Sequence, residues 1–211
     1  MKTYDRILAA SLQLFNEQGE RQVSTNHIAA HLGISPGNLY YHFRHKEAIV
    51  HQIFLQYQDF IRARLTLPSE RSLQVADMLG YLDSAFDGMW QYRFLFYDLP
   101  GLLARNPPLQ QAYQQFLQEE LNHTLHTLCQ RAVDAGLLTL DASDINPLVV
   151  NIWLVVKFWF AFEQVAQPSQ AVSEASGRRG VSQVLALLKP YVADALRPGF
   201  ALAQARYGGA D

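Results

Sequence analysis

The chain has little of what many enzymes and secreted scaffolds rely on. Cys129 is its only cysteine, which excludes an intrachain disulfide and a cysteine-based zinc cluster. No Gly-rich phosphate loop, H-E-x-x-H or G-x-S-x-G occurs in it, so the usual marks of nucleotide, zinc-protease and serine-hydrolase chemistry are missing. No alternating apolar and polar run is bounded by turn signals on both sides, so no sheet is expected. The N-terminus, MKTYDRILAAS, carries Asp5 where a signal peptide has an unbroken apolar core. The longest apolar stretch, Leu148–Phe162, is interrupted by Asn151 and Lys157 and is short for a bilayer span. A cytoplasmic protein with no membrane partner is expected.

Charge of one sign is also scarce. The formal net charge is -2, far from a polybasic nucleic-acid binder. Its distribution is uneven: residues 1–67 hold seven Lys or Arg against five Asp or Glu, and residues 68–211 hold ten against fourteen. Five of the seven histidines also lie before residue 52. The result is a weakly basic head on an acidic body. With 211 residues and 49% hydrophobic composition, there is ample material for a buried core.

What is present begins with Ser24–Lys46, STNHIAAHLGISPGNLYYHFRHK. Before it, YDRILAASLQLFNEQG places Ile7, Leu8, Ser11, Leu14 and Phe15 at three-and-four spacing, with Thr3 as cap and Gly19 as stop. Ser24 or Thr25 caps the next helix, which turns Ile28, Ala29 and Leu32 inward and ends at Gly33. Ser35 and Pro36 form a second helix start, cap then first-turn proline. Leu39 and Phe43 supply the inward positions of that helix, leaving Tyr40, Tyr41 and His42 outside. Gly37 leaves the tip bare, so a DNA backbone could come close, and the free amides there favour phosphate. This is the layout of a helix-turn-helix with a short reading helix. The competing reading treats the tyrosines as half-buried packing, the histidine as a solvated cap and Lys46 as an ordinary surface lysine.

The same residues carry a family resemblance. Over about residues 3–50 the chain resembles the TetR/AcrR family of bacterial transcriptional repressors. The shared pattern is an apolar first helix with Phe and a Gly stop, Thr–x–x–Ile–Ala, Gly–Ile–Ser, and Leu–Tyr–Tyr–His–Phe followed by Lys–Glu. Asn26 and His27 occupy positions that vary widely in that family. The resemblance implies that Thr25, Ser35, Asn38, Tyr40, Tyr41, His42 and Lys46 contact phosphates and bases of double-stranded operator DNA, with Gly37 at the start of the reading helix. It further implies repression relieved by a small effector bound in the body, and a homodimer joined through about residues 144–167 and 181–196.

Beyond Pro68 the helical period returns in Val75, Met78, Leu79, Leu82, Ala85, Phe86 and Met89. Arg93–Leu103 is aromatic and broken by Pro100–Gly101. Asn106–Pro107–Pro108 restarts the chain into a long helix that stops at Gly136, with Asp144 or Asn146 capping a segment from about Pro147 to Gln167. PSQAVSEASGRRG reads as a loop with room for a partial helical turn in its middle, Val181–Leu196 as the last substantial helix, and the remainder as a short helix or frayed tail. The expected architecture is all-α, about nine helices, with a three-helix DNA-binding domain over 1–47 and a helical effector-binding and dimerisation domain over 48–211.

The body's aromatic load is ordinarily core. Several wide rings and two proline breaks nonetheless make a cavity plausible, and by the family resemblance Trp90, Phe94, Tyr97, Trp153 and Phe158 are its expected lining. An apolar or aromatic effector follows, with Asn151 or His126 as polar contacts. Glu119, His123 and His126 have helix-compatible spacing for a metal, but lack a further carboxylate cluster, so no metal, cofactor or enzymatic role is assigned. The alternative function is a constitutive DNA-binding or protein-interaction module without an inducer.

Overall fold

Helix starts written into the sequence account for the order of elements. A computed structural model describes residues 2–167, 169 and 171–208 of the chain. The head consists of α1 (Thr3–Gln18), α2 (Thr25–Leu32) and α3 (Pro36–His42). In α1, Ile7, Leu8, Ser11, Leu14 and Phe15 are all buried, and Ser11 returns its hydroxyl to the Ile7 carbonyl at 2.7 Å. The cap of α1 is Lys2, which leaves Thr3 as the first helical residue. Ser24 rather than Thr25 caps α2: its Oγ accepts from the His27 amide, and His27 Nδ1 accepts from the Ser24 amide. Gly33 ends α2 with a φ of 65°, a left-handed turn that a side chain would strain.

The long α4 (Lys46–Arg64) starts in the head and ends in the body, burying Ile49, Ile53, Phe54, Tyr57 and Ile61. The body adds α5 (Val75–Gln91), α6 (Phe94–Tyr97), α7 (Leu99–Arg105) and α8 (Pro107–Gln115). A π-helical turn, Phe116–Leu121, joins α8 to α9 (Asn122–Asp134) without a break. Then come α10 (Ala142–Ala166), α11 (Glu174–Leu188) and α12 (Arg197–Gly208). The all-α architecture stands, with no named strand among the described residues.

Several boundaries differ from the sequence reading. Pro100–Gly101 does not break a helix but lies in the first turn of α7, where proline needs no donor and Gly101 packs against the Asp98 carboxylate too closely for a side chain. Pro147 likewise sits inside α10, whose cap is Asp141. Much of the presumed loop PSQAVSEASGRRG is the first half of α11, because Ser173 and Ser176 form a capping box. Gly180 then meets the Phe86 and Trp159 rings where a Cβ would collide. That helix stops at Leu188, and Val192 instead forms an isolated antiparallel bridge with Leu138. The extra helical pieces raise the count above nine. Pro168, Gln170 and the tail after Gly208 lie outside the described residues.

By length and composition α10 could cross a membrane, with a mean hydropathy of 1.6 over its most apolar window. It instead packs on α6, α9 and α11. Its seam with α11 is closed by the buried Glu163 paired with Arg179, which also reaches Ser176. Trp159 Nε1 donates to the Ser176 carbonyl at 2.6 Å.

Candidate nucleic-acid interface and effector cavity

The exposed tip of the head is built by two caps. Ser35 Oγ accepts from the Asn38 amide at 3.2 Å and so opens α3, while Leu39 and Phe43 fix its inner face. Ser35, Gly37 and Asn38 are exposed. A Cβ on Gly37 would meet nothing nearer than Ser35 Oγ at 4.0 Å, so the fold itself does not demand glycine there. Tyr41 is 85% exposed and Tyr40 46% exposed, unusual for rings in a well-packed head. Tyr40 Oη and Thr25 Oγ1 share a hydrogen bond of 3.0 Å, which joins α2 to α3. His42 is half-buried, edge-on to Tyr4 and Tyr41. Thr25, Ser35, Gly37, Asn38, Tyr40 and Tyr41 are thus arranged on the two helix starts and the outer side of α3.

Lys46 differs from the placement expected of a free phosphate ligand. Its ammonium donates to the Glu20 carbonyl at 2.8 Å and pairs with Glu20 Oε1 at 2.9 Å, half-buried. Glu20 also meets Arg105 at 3.3 Å, and Arg21 pairs with Asp98 at 2.6 Å. Burial would raise the Asp98 carboxyl, but the Arg21 hydrogen bond and the charges of Arg21 and Arg105 hold it below the ordinary carboxylate value. Asn16 adds an uncharged link: its Nδ2 donates to the Gln91 carbonyl at 2.9 Å, and its Oδ1 accepts from the Phe94 amide at 3.1 Å. Asn106 Nδ2 donates to the Glu47 carbonyl at 2.9 Å. Together these bonds fasten the head and the start of α4 to the α5–α8 side of the body. The head–body partners stand 59 to 85 residues apart, so no local spacing in the sequence marks them.

The body does contain a cavity, but with a different lining. A space of about 70 Å³ lies between α4, α5, α9, α10 and α11. Trp153 is the one residue of the expected aromatic set on its wall. Phe94 is buried against Phe15, and Tyr97 packs on Phe160. Trp90 stacks under Arg93 at 4.2 Å, and Phe158 lies toward the surface beside Lys157. The wall is instead mostly aliphatic, with Met78, Leu82, Leu125 and Val156 among its members. α5 has a wide apolar face and fully buries only Phe86, Gly88 and Met89 of it, which leaves Met78 and Leu82 to line the space.

Asn151 is exposed and, like His126, lies off the cavity wall. Polar character on that wall comes from Tyr57, Tyr81, Thr124, Cys129 and the Trp153 indole. Trp153 Nε1 is buried without a hydrogen-bond partner. Burial pushes the Cys129 thiol up to about 11, so it is a neutral packing group and not a nucleophile. Lys157 stands 5.2 Å from the Tyr113 ring centre, and its partial burial lowers its pKa. Among the described residues no group of three metal-ligating side chains comes together.

Residues 7–53 match the family model described as bacterial regulatory proteins, tetR family, and residues 56–200 match one described as bacterial transcriptional repressor. The chain is similar to a TetR-family transcriptional regulator from Marinobacter aquaeolei VT8, with 40% identity and a TM-score of 0.90, covering 98% of this chain and 99% of that one. It is also 35% identical over 105 residues to the HTH-type transcriptional regulator UidR of Escherichia coli strain K12, which is 50% of this chain and 54% of that protein. The chain therefore spans about half the length of the curated relatives it matches. Salmonella enterica GusR shares the fold, with a TM-score of 0.61 at 22% identity, over 89% of this chain and 95% of that one. These matches are to transcriptional regulators and not to enzymes. Since the family models take in both the head and most of the helical body, the chain belongs to the TetR family of bacterial transcriptional regulators.

Proposed function

We propose that this regulator is a homodimeric, cytoplasmic repressor that binds operator DNA through α3 and leaves it when an apolar effector enters the body. The observation that carries the DNA reading is the tip of α3, where Gly37 is open and Tyr41 stands largely in solvent, touching only the edge of His42 among the rings. Thr25, Ser35, Tyr41 and His42 are assigned to phosphate contact, and Asn38 and Tyr40 to base edges. Lys46 joins the phosphate set on condition that it exchanges Glu20 for DNA, a trade that leaves Glu20 paired with Arg105 of the body alone.

One short reading helix offers few base contacts, so two heads are needed for useful specificity. Support for the second copy comes from α10, where Val150, Leu154, Phe158, Phe162 and Val165 are exposed at three-and-four spacing. That stripe and the neighbouring α11 form the proposed dimer face. Two heads on adjacent major grooves stand roughly 34–36 Å apart.

The test is selection of bound fragments from the source genome, followed by footprinting against random competitor DNA. Protected half-sites related by a two-fold axis are expected. Lys46→Ala should lower the salt dependence by about one phosphate per half-site; an unchanged slope removes Lys46 from the DNA contacts. Binding without sequence preference would replace the repressor reading by a nonspecific one.

A further inference from the structure

A second cavity lies beside the first. It measures about 260 Å³, is partly open, and is lined by α5, the Leu137–Leu138 corner, α11, α12 and the segment that leads into α12. Met78, Leu82 and Leu188 belong to the walls of both cavities, so the two spaces adjoin across these three aliphatic residues. The outer cavity has no charged, hydroxyl or amide side chain on its wall. The inner one has hydroxyls, a thiol and the unpaired Trp153 indole, and likewise no charge.

The helix α12 forms the cover. It packs on α11, its Phe200 and Ala203 line the outer cavity, and Tyr207 near its end is buried close to Asp83 of α5. Gly208 lies beside Ser182 of α11. The helix thus bridges α5 and α11 across the opening.

From the three shared wall residues and the apolar lining we infer that the two cavities are one elongated site for an uncharged, chain-like apolar molecule, its polar end in the inner part and its tail under α12. This assignment rests on the reading of the inner cavity as an effector site. Chain length follows from the partition: a compact ligand fills one compartment, whereas a flexible chain can pass Met78, whose unbranched side chain yields at low cost. Neutrality follows from the walls, because an unpaired buried carboxylate or ammonium is strongly penalised. A single hydroxyl or carbonyl at the inner end finds the Trp153 donor, and the tail needs no partner.

The experiment is equilibrium dialysis of labelled straight-chain 1-alkanols, butanol to decanol, with decanoate as the charged control at neutral pH. While the chain keeps gaining buried methylenes, affinity should rise about fourfold per added carbon. Decanoate should bind at least a hundredfold more weakly than decanol. Ala203→Trp fills the outer part, and the rise should then stop at the shorter alcohols. Met78→Ala thins the partition and should tighten decanol at least threefold relative to butanol. It also serves as the deciding variant if Ala203→Trp does not fold by circular dichroism. A rise that stops at the shortest alcohols in the unaltered protein, equal binding of decanoate, or variants that leave the series unchanged would overturn the assignment. Operator binding is read separately. Decanol that binds with this signature yet leaves operator occupancy unchanged upholds the site and defeats induction through it. Absence of saturable decanol binding overturns the site and leaves DNA binding intact.

Discussion

Replacing Asn16 by alanine should loosen the head from the body without touching either DNA contacts or cavity. The Asn16 side chain makes two interelement bonds, 2.9 Å to the Gln91 carbonyl and 3.1 Å from the Phe94 amide. Each is worth about 0.5–1.5 kcal/mol net, and a buried donor left unpaired costs about 1–3 kcal/mol. Phe94 is buried, so water cannot freely take over its amide. Gln91 is exposed and its carbonyl can rehydrate. Taking the Phe94 bond at its full penalty and the Gln91 bond at a small one gives a loss of about 2 kcal/mol. For a chain of this size that corresponds to a fall in Tm of about 4–8 °C. Asn16→Asp keeps the acceptor and loses the donor, and should fall between the two. Thermal unfolding by circular dichroism at neutral pH reads both. A fall below about 2 °C for Asn16→Ala would refute the reasoning, since it would mean the Phe94 amide is satisfied without Asn16.

Other expectations follow from equally local features. Phe162→Glu places like charges in the proposed α10 seam and should leave a folded monomer in sedimentation; an intact dimer would move the interface elsewhere. Gly180→Ala drives a methyl into the Phe86 and Trp159 rings and should cost about 1–3 kcal/mol in chemical denaturation. Asp77 is held at about 2 by hydrogen bonds from Arg71 and the Gln74 amide. Its depressed value means its small contribution is complete above the ordinary carboxylate pKa of about 3.9 and is lost as pH falls toward 2. Carboxyl NMR of Arg71→Ala should show Asp77 moving back up.

The head was legible because its signals are local. Capping residues, the Gly33 turn and the spacing of Leu39 and Phe43 all act within a few residues of one another, so reading them in order recovers the geometry. The body followed other rules. Pro100 reads as a break and Pro147 as a helix start, yet proline costs no hydrogen bond in a first turn, and α10 begins earlier and continues through its own proline. The cavity was sought among aromatic rings, but rings fill space well. Wide aliphatic faces brought together by five helices leave the gap, and that meeting is a property of the tertiary arrangement. The head–body bonds join partners with no mutual spacing at all, and Glu20 and Asp98 taken singly read as ordinary surface carboxylates.

Under the proposed function, the 19 residues of α4 also act as a ruler between sensing and reading. At 1.5 Å per residue the helix is about 28 Å long. Pivoting it by 5° about its Arg64 end carries the Lys46 end sideways by about 2.5 Å on that length. If a two-fold partner mirrors the swing, the reading helices separate by about 5 Å, more than one base-pair rise of 3.4 Å. In the proposed dimer, a tilt of a few degrees in α4 is therefore enough to put the reading helices out of phase with their half-sites.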